Sequence, residues 1–153
     1  MNISLLPLPA AETGAGFDHV VARFRELEAG VESLHGCCDL GEDAGVIEEL
    51  LLRAGAGELA GLATFGGAVL GDDRAGTACT LLSVDEVARV NELLAAVGIE
   101  GATDRMADVL AETVRGGIPY GYADDLAERV TELSGLFESA ARGGFCVVYL
   151  HEG

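Results

Sequence analysis

The segment that most constrains the fold covers residues 65–97, where turn, strand, cap and helix signals follow one another without a gap. It opens on Phe65-Gly66-Gly67 and Ala68-Val69-Leu70, passes Gly71-Asp72-Asp73, and enters the short, partly β-branched run from Thr77 to Leu82, which predicts a strand. Ser83 and Glu86 then stand at the spacing of a capping box. The serine hydroxyl accepts the N–H of the third helical residue, and the glutamate carboxylate accepts the N–H of the serine itself. A helix must start there. Val87, Val90, Leu94 and Val97 line one face of it, and Gly98 is expected to stop it.

Other elements attach to this unit. Residues 2–6 have strand character that Pro7 and Pro9 should end, because proline cannot donate to a ladder. Phe17, Val20, Val21, Phe24 and Leu27 recur at helical spacing and predict a helix reaching as far as Leu34, with a turn from Cys37 to Gly41. Asp43 is positioned to cap a second helix through Val46, Ile47, Leu50 and Leu51, stopped by Gly55. Residues 62–65 and 68–70 read as short strands around a Gly66-Gly67 turn. Thr103 should cap a helix through Met106, Val109, Leu110 and Val114. A last helix from Asp124 or Asp125 carries Leu126, Val130, Leu133, Phe137 and Ala140. Residues 145–150 are continuously apolar, as in a strand covered on both faces, which places the C-terminal strand centrally. About five helices and three to five strands that do not alternate as βαβ units predict a single α+β domain over residues 1–153, with a small sheet packed by helices.

Charge narrows the function classes. The 26 acids oppose only 9 bases, giving a formal net charge of -17. Such a surface repels phosphate backbones, so nucleic acid is not an expected partner, whereas a basic protein is. No apolar run approaches the roughly 18 residues of a membrane helix, and the N-terminus lacks the basic region of a secretory signal, so the expectation is a cytoplasmic protein without membrane contact. Cys37, Cys38, Cys79 and Cys146 match neither a zinc ribbon nor a redox Cys-x-x-Cys pattern and read as reduced thiols.

Few residues carry recognisable chemistry. His35, Cys37, Cys38 and Asp39 form the densest reactive set, which could in principle pair a thiol with a histidine base. Adjacent cysteines cannot easily share one tetrahedral ion, so no metal is expected. Gly66, Gly67 and Gly71 lack phosphate-loop spacing, and no cofactor is expected. Asp39, Glu42 and Asp43 could join Asp72 and Asp73 around a cation, but the calcium-loop spacing is absent and a solvated acidic surface fits better. Tyr120 and Tyr122 flank Gly121 in a loop, a common way to present contact area. His151 reads as part of an exposed tail.

The pattern Phe65-Gly66-Gly67 with Leu70-Gly71, the approach Gly76-Thr77-Ala78 and the run Leu82-Ser83-Val84-Asp85-Glu86-Val87 resembles the YfbM-like family of bacterial proteins, a domain of unknown function. Phe137, Ala140-Ala141 and Gly143 or Gly144 before Val147-Val148-Tyr149-Leu150 are similar to that family's closing helix and strand. The family's Trp-x-x-Leu-His element is matched by Leu34 and His35, with Val31 in place of the tryptophan. The resemblance implies an α+β domain and no established activity. Two functional readings follow from the residues. The first is a non-catalytic module offering an acidic face, with Asp39, Glu42, Asp43, Tyr120 and Tyr122 as binding candidates. The alternative is a small hydrolase using His35 with Cys37, Cys38 or a nearby carboxylate.

Overall fold

The computed structural model describes residues 1–28, 37–114 and 116–153. The elements in chain order are β1 (Asn2–Leu8), α1 (Ala10–Thr13), α2 (Phe17–Glu28), β2 (Cys38–Gly41), α3 (Ala44–Arg53), α4 (Glu58–Phe65), β3 (Ala68–Asp72), β4 (Thr77–Leu82), α5 (Val84–Thr103), α6 (Met106–Thr113), α7 (Tyr122–Gly143) and β5 (Cys146–Glu152). The five strands form one antiparallel sheet in the order β2-β1-β5-β4-β3, so the C-terminal strand is central as its apolar run requires.

Alternation along the strands separates two apolar layers. Ile3, Leu5, Leu82, Val147 and Tyr149 face α3 to α7, whereas Leu6, Leu8, Cys79, Val148 and Leu150 face Val20 and Phe24 of α2. The sheet therefore has α3 to α7 on one face and, among the described residues, α2 with α1 beside it on the other. Ser83 caps α5 with both bonds of the box formed, Ser83 Oγ accepting from Glu86 N at 3.2 Å and Glu86 Oε1 from Ser83 N at 3.0 Å.

Several expectations are corrected. Seven helical segments, not about five, occur among the described residues. Residues 62–65 belong to α4 rather than to a strand, and residues 38–41 form an edge strand rather than a turn. Pro7 lies inside β1, where the strand has already lost its β2 neighbour after Leu5 and a missing N–H is tolerated. Thr103 ends α5 instead of capping α6, its hydroxyl donating to the Ile99 carbonyl at 2.8 Å. Gly98 breaks the axis of α5 at φ 69°, but helix resumes beyond it. The extension of the first helix toward Leu34 lies outside the described residues.

The end of α4 explains the Gly66-Gly67 pair. The Leu62 carbonyl still accepts from Gly66 N at 3.1 Å, and side chains of the sheet take up the last carbonyls as well. The buried Tyr149 hydroxyl lies 2.8 Å from the Leu62 carbonyl and 2.9 Å from that of Ala63. The Phe65 carbonyl accepts from Thr80 Oγ1 at 2.7 Å and lies 3.1 Å from His151 Nε2. A carbonyl only accepts, so Nε2 carries its proton. His151 is thus a half-buried part of β5 rather than a free tail. Gly66 turns away at φ 82°, and a Cβ there would meet Thr80 and come within 2.8 Å of the Tyr149 ring.

Two outcomes follow. Tyr149→Phe leaves the Ala63 carbonyl unpaired and should cost about 1–3 kcal/mol in urea unfolding, with no change of fold by circular dichroism. Burial lowers the His151 pKa from its ordinary 6.5, so the folded state holds the proton less tightly than the unfolded chain. The neutral ring's contribution is complete above pH 6.5 and is lost as pH falls through the lowered value. Stability measured across that interval should be flatter in His151→Gln than in the parent protein.

Candidate functional site

The sequence candidates that the structure brings together surround Arg129. Asp39 sits at an exposed position of β2, and Asp43 immediately precedes α3. The N-terminus of α7, which begins at Tyr122 rather than at Asp124 or Asp125, is tied to this corner. The Tyr122 hydroxyl donates to Asp43 Oδ1 at 2.6 Å, and Arg129 Nε approaches Asp43 Oδ2 at 3.8 Å. Arg129 Nη1 donates to the Asp39 carbonyl at 3.2 Å. Asp43 occupies the cap position of α3, yet it forms no side-chain cap bond. Its carboxylate is committed to Tyr122 instead.

Gly41 permits this closure. It lies at φ 56°, and a Cβ built on it would come within 2.8 Å of Arg129 Nη1. The Asp39 carboxylate accepts from Gly41 N at 2.8 Å and shapes the same turn. Desolvation, reinforced by the bond to Asp43 and its charge, pushes the Tyr122 phenol up to about 12. It stays protonated and donating at any physiological pH.

Beside the latch lies a groove of about 250 Å³ lined by Asp39, Asp125, Glu128, Arg129 and Glu132. Asp125, Glu128 and Glu132 are three and four residues apart, so α7 stacks them on one face. Sequence reasoning singled out Asp39 but missed these three and Arg129. Their helical spacing was legible, but the apposition of β2 that turns a helix face into a groove was not. Glu42 is exposed nearby. Tyr120 is fully exposed and Ile118 is half-exposed on the loop that leads into α7.

The reactive set is not assembled in the same way. His35 lies outside the described residues. Cys37 is at the surface, and partial desolvation followed by the Asp39 charge raises its pKa. Cys38 is buried in the sheet, with its thiol pushed up to about 12, first by burial and then by the charge of Glu132. Both shifts disfavour the nucleophilic thiolate. Among the described residues no cluster of three or more His, Cys, Asp or Glu is arranged to hold a metal ion.

Asp72 and Asp73 are placed far from Asp39 and Asp43, since β3 and β2 are opposite edges of the sheet. They shape the β3–β4 turn: Asp72 Oδ1 accepts from Arg74 N at 2.9 Å, and Asp73 Oδ1 from Ala75 N and Thr77 N at 2.8 and 3.0 Å. The bonds from Ala75 and then Thr77 hold the Asp73 carboxyl below its usual range. The combined cation site considered from sequence does not form.

The architecture is that of an α+β protein with an antiparallel five-stranded sheet and helices on both faces. The crystal structure of a protein of unknown function, YfbM from Escherichia coli, is similar at a TM-score of 0.64 and 12% identity, over 99% of this chain and 99% of that one. The chain has the YfbM-like fold. No protein-family model matches the sequence, and comparison with curated proteins finds no match.

The Tyr122–Asp43 bond joins a neutral donor to a charged acceptor in a partly buried setting. A double-mutant cycle with Tyr122→Phe and Asp43→Asn should return a coupling of about 1.5 kcal/mol in urea unfolding. A coupling near zero would show that the latch does not hold α7 to this corner.

Proposed function

We propose that this is a non-catalytic cytoplasmic protein that docks a basic protein partner in the groove between β2 and α7. The observation that carries the reading is the arrangement of Asp39, Asp125, Glu128 and Glu132 around a single arginine. Arg129 is already engaged by the Asp39 carbonyl and the Asp43 carboxylate, so the remaining field in the groove is negative. Stacking acids three and four residues apart costs helix stability by a few tenths of a kcal/mol. A partner's lysines or arginines would turn that local cost into attraction. Tyr120, five residues before Asp125, adds an exposed aromatic of the kind enriched in the cores of interfaces. Residues 116–121 thus supply apolar contact beside the charged groove.

The hydrolase alternative has weaker support. Both candidate thiols are raised rather than lowered in pKa, and Cys38 is enclosed in the core.

The test is affinity capture from the source organism at low and high salt, using two variants of equal charge. One replaces Asp39, Asp125, Glu128 and Glu132 by their amides. The other does the same at Glu58, Glu92, Glu100 and Asp108, which are exposed elsewhere. A partner rich in Lys and Arg should be lost at high salt and with the groove variant, and retained with the control. Equal loss with both variants would reduce the interaction to net charge. Recovery of no salt-sensitive partner would remove the reading altogether.

A further inference from the structure

We propose that the cleft between α3 and the Gly98-broken part of α5 binds a small amphiphilic monoanion, with a compact apolar body on Leu50 and Val97 and its oxyanion at Arg53 and Arg105. The cleft has a volume of about 520 Å³, within the range of roughly 300–1,000 Å³ typical of small-molecule sites. It lies apart from the β2–α7 groove and shares no lining residue with it.

The room arises from small side chains. Where α3 and α5 face each other, Ala54, Ala96 and Gly101 stand beside Leu50 and Val97 and leave a floor that no large side chain fills, under a polar rim. The break at Gly98 falls between Val97 and Gly101, so the two walls that α5 contributes belong to different helical axes. One unbroken helix would present a single straight ridge here.

The rim supplies recognition. Arg53, at the end of α3, donates from Nε to Glu49 Oε1 at 3.1 Å and from Nη2 to Glu112 Oε2. These bonds fix the plane of the guanidinium, and Nη1 has no hydrogen-bond partner among the described residues. Glu49 and Glu112 offset its charge, so Arg53 acts as an oriented N–H donor. Arg105 also lines the cleft and makes no ion pair among the described residues, although acids outnumber bases almost three to one in the chain. It supplies the uncompensated charge. Asp104 is the one carboxylate of the lining and disfavours a second negative charge on the ligand. A planar fork beside a free guanidinium suits a carboxylate or a phosphate monoester in its singly charged form. At physiological salt, screening over about 8 Å keeps the distant acids from deciding local binding.

Amide NMR titration tests this with hexanoate, phenyl phosphate and neutral hexanol as probes. At least one anion should shift the Gly101 and Asp104 amides saturably, about tenfold more tightly than hexanol. Arg105→Gln should weaken that anion about tenfold and leave hexanol unchanged. Ala54→Leu, which fills the floor, should abolish both. Preference for hexanoate or for phenyl phosphate assigns the head group. No saturable shift by about 10 mM of either anion, or binding indifferent to Arg105→Gln, would overturn the proposal. Arg105 is exposed, so its variant answers the question even if Ala54→Leu fails to fold.

Discussion

The structure depends most on how the end of α4 is held against the sheet. A helix ending over a sheet leaves its last carbonyls in need of donors from outside the helix. Here Tyr149, Thr80 and His151, from two adjacent strands, supply the missing donors. That arrangement fixes where α4 stops, and Gly66 is the residue that can leave the helix without striking the donors. The register of β4 against β5 therefore matters beyond the ladder. Thr80 pairs with Tyr149 in the sheet, and Ala78 with His151, so a slip would withdraw the cap as well as exchange the two faces.

The chain's few bases are placed unevenly. Arg53 and Arg23 each bind two carboxylates at packed corners, Arg53 Glu49 and Glu112, Arg23 Glu12 at 3.1 Å and Glu26 at 2.6 Å, whereas Arg129 joins the Asp43 carboxylate to the Asp39 carbonyl. These arginines hold α7 to β2, α3 to α6 and α1 to α2. Acidity is thereby tolerated where elements meet. Sheet order and helix packing in this chain rest on apolar and hydrogen-bonding contacts.

What could be read from the sequence was what local patterns determine. The Ser83–Glu86 box, the stripe of α7 and the double-sided apolar run of β5 each gave the right element in the right place. Residues 62–65 misled because a short apolar run with one threonine fits strand and helix equally. The deciding bonds come from Tyr149 and His151, more than eighty residues away. Cys38 to Gly41 is too short to show alternation, and it becomes a strand only because β1 offers an edge. Of the candidate site, Asp39, Asp43 and Tyr122 were visible as residue types, but not Arg129, whose role exists only through the approach that Gly41 allows.

The central position of β5 also orders events during synthesis. β1 is made first and β4 midway, yet within the sheet neither pairs with the other, and both take β5 as their neighbour. The helices of residues 44–143 can collapse around their own apolar faces before that strand exists, but the two halves of the sheet cannot be joined. Closing it pairs Asn2 with Glu152, so β5 is the keystone that joins the two halves, and the loop it closes carries the largest entropic cost in the sheet.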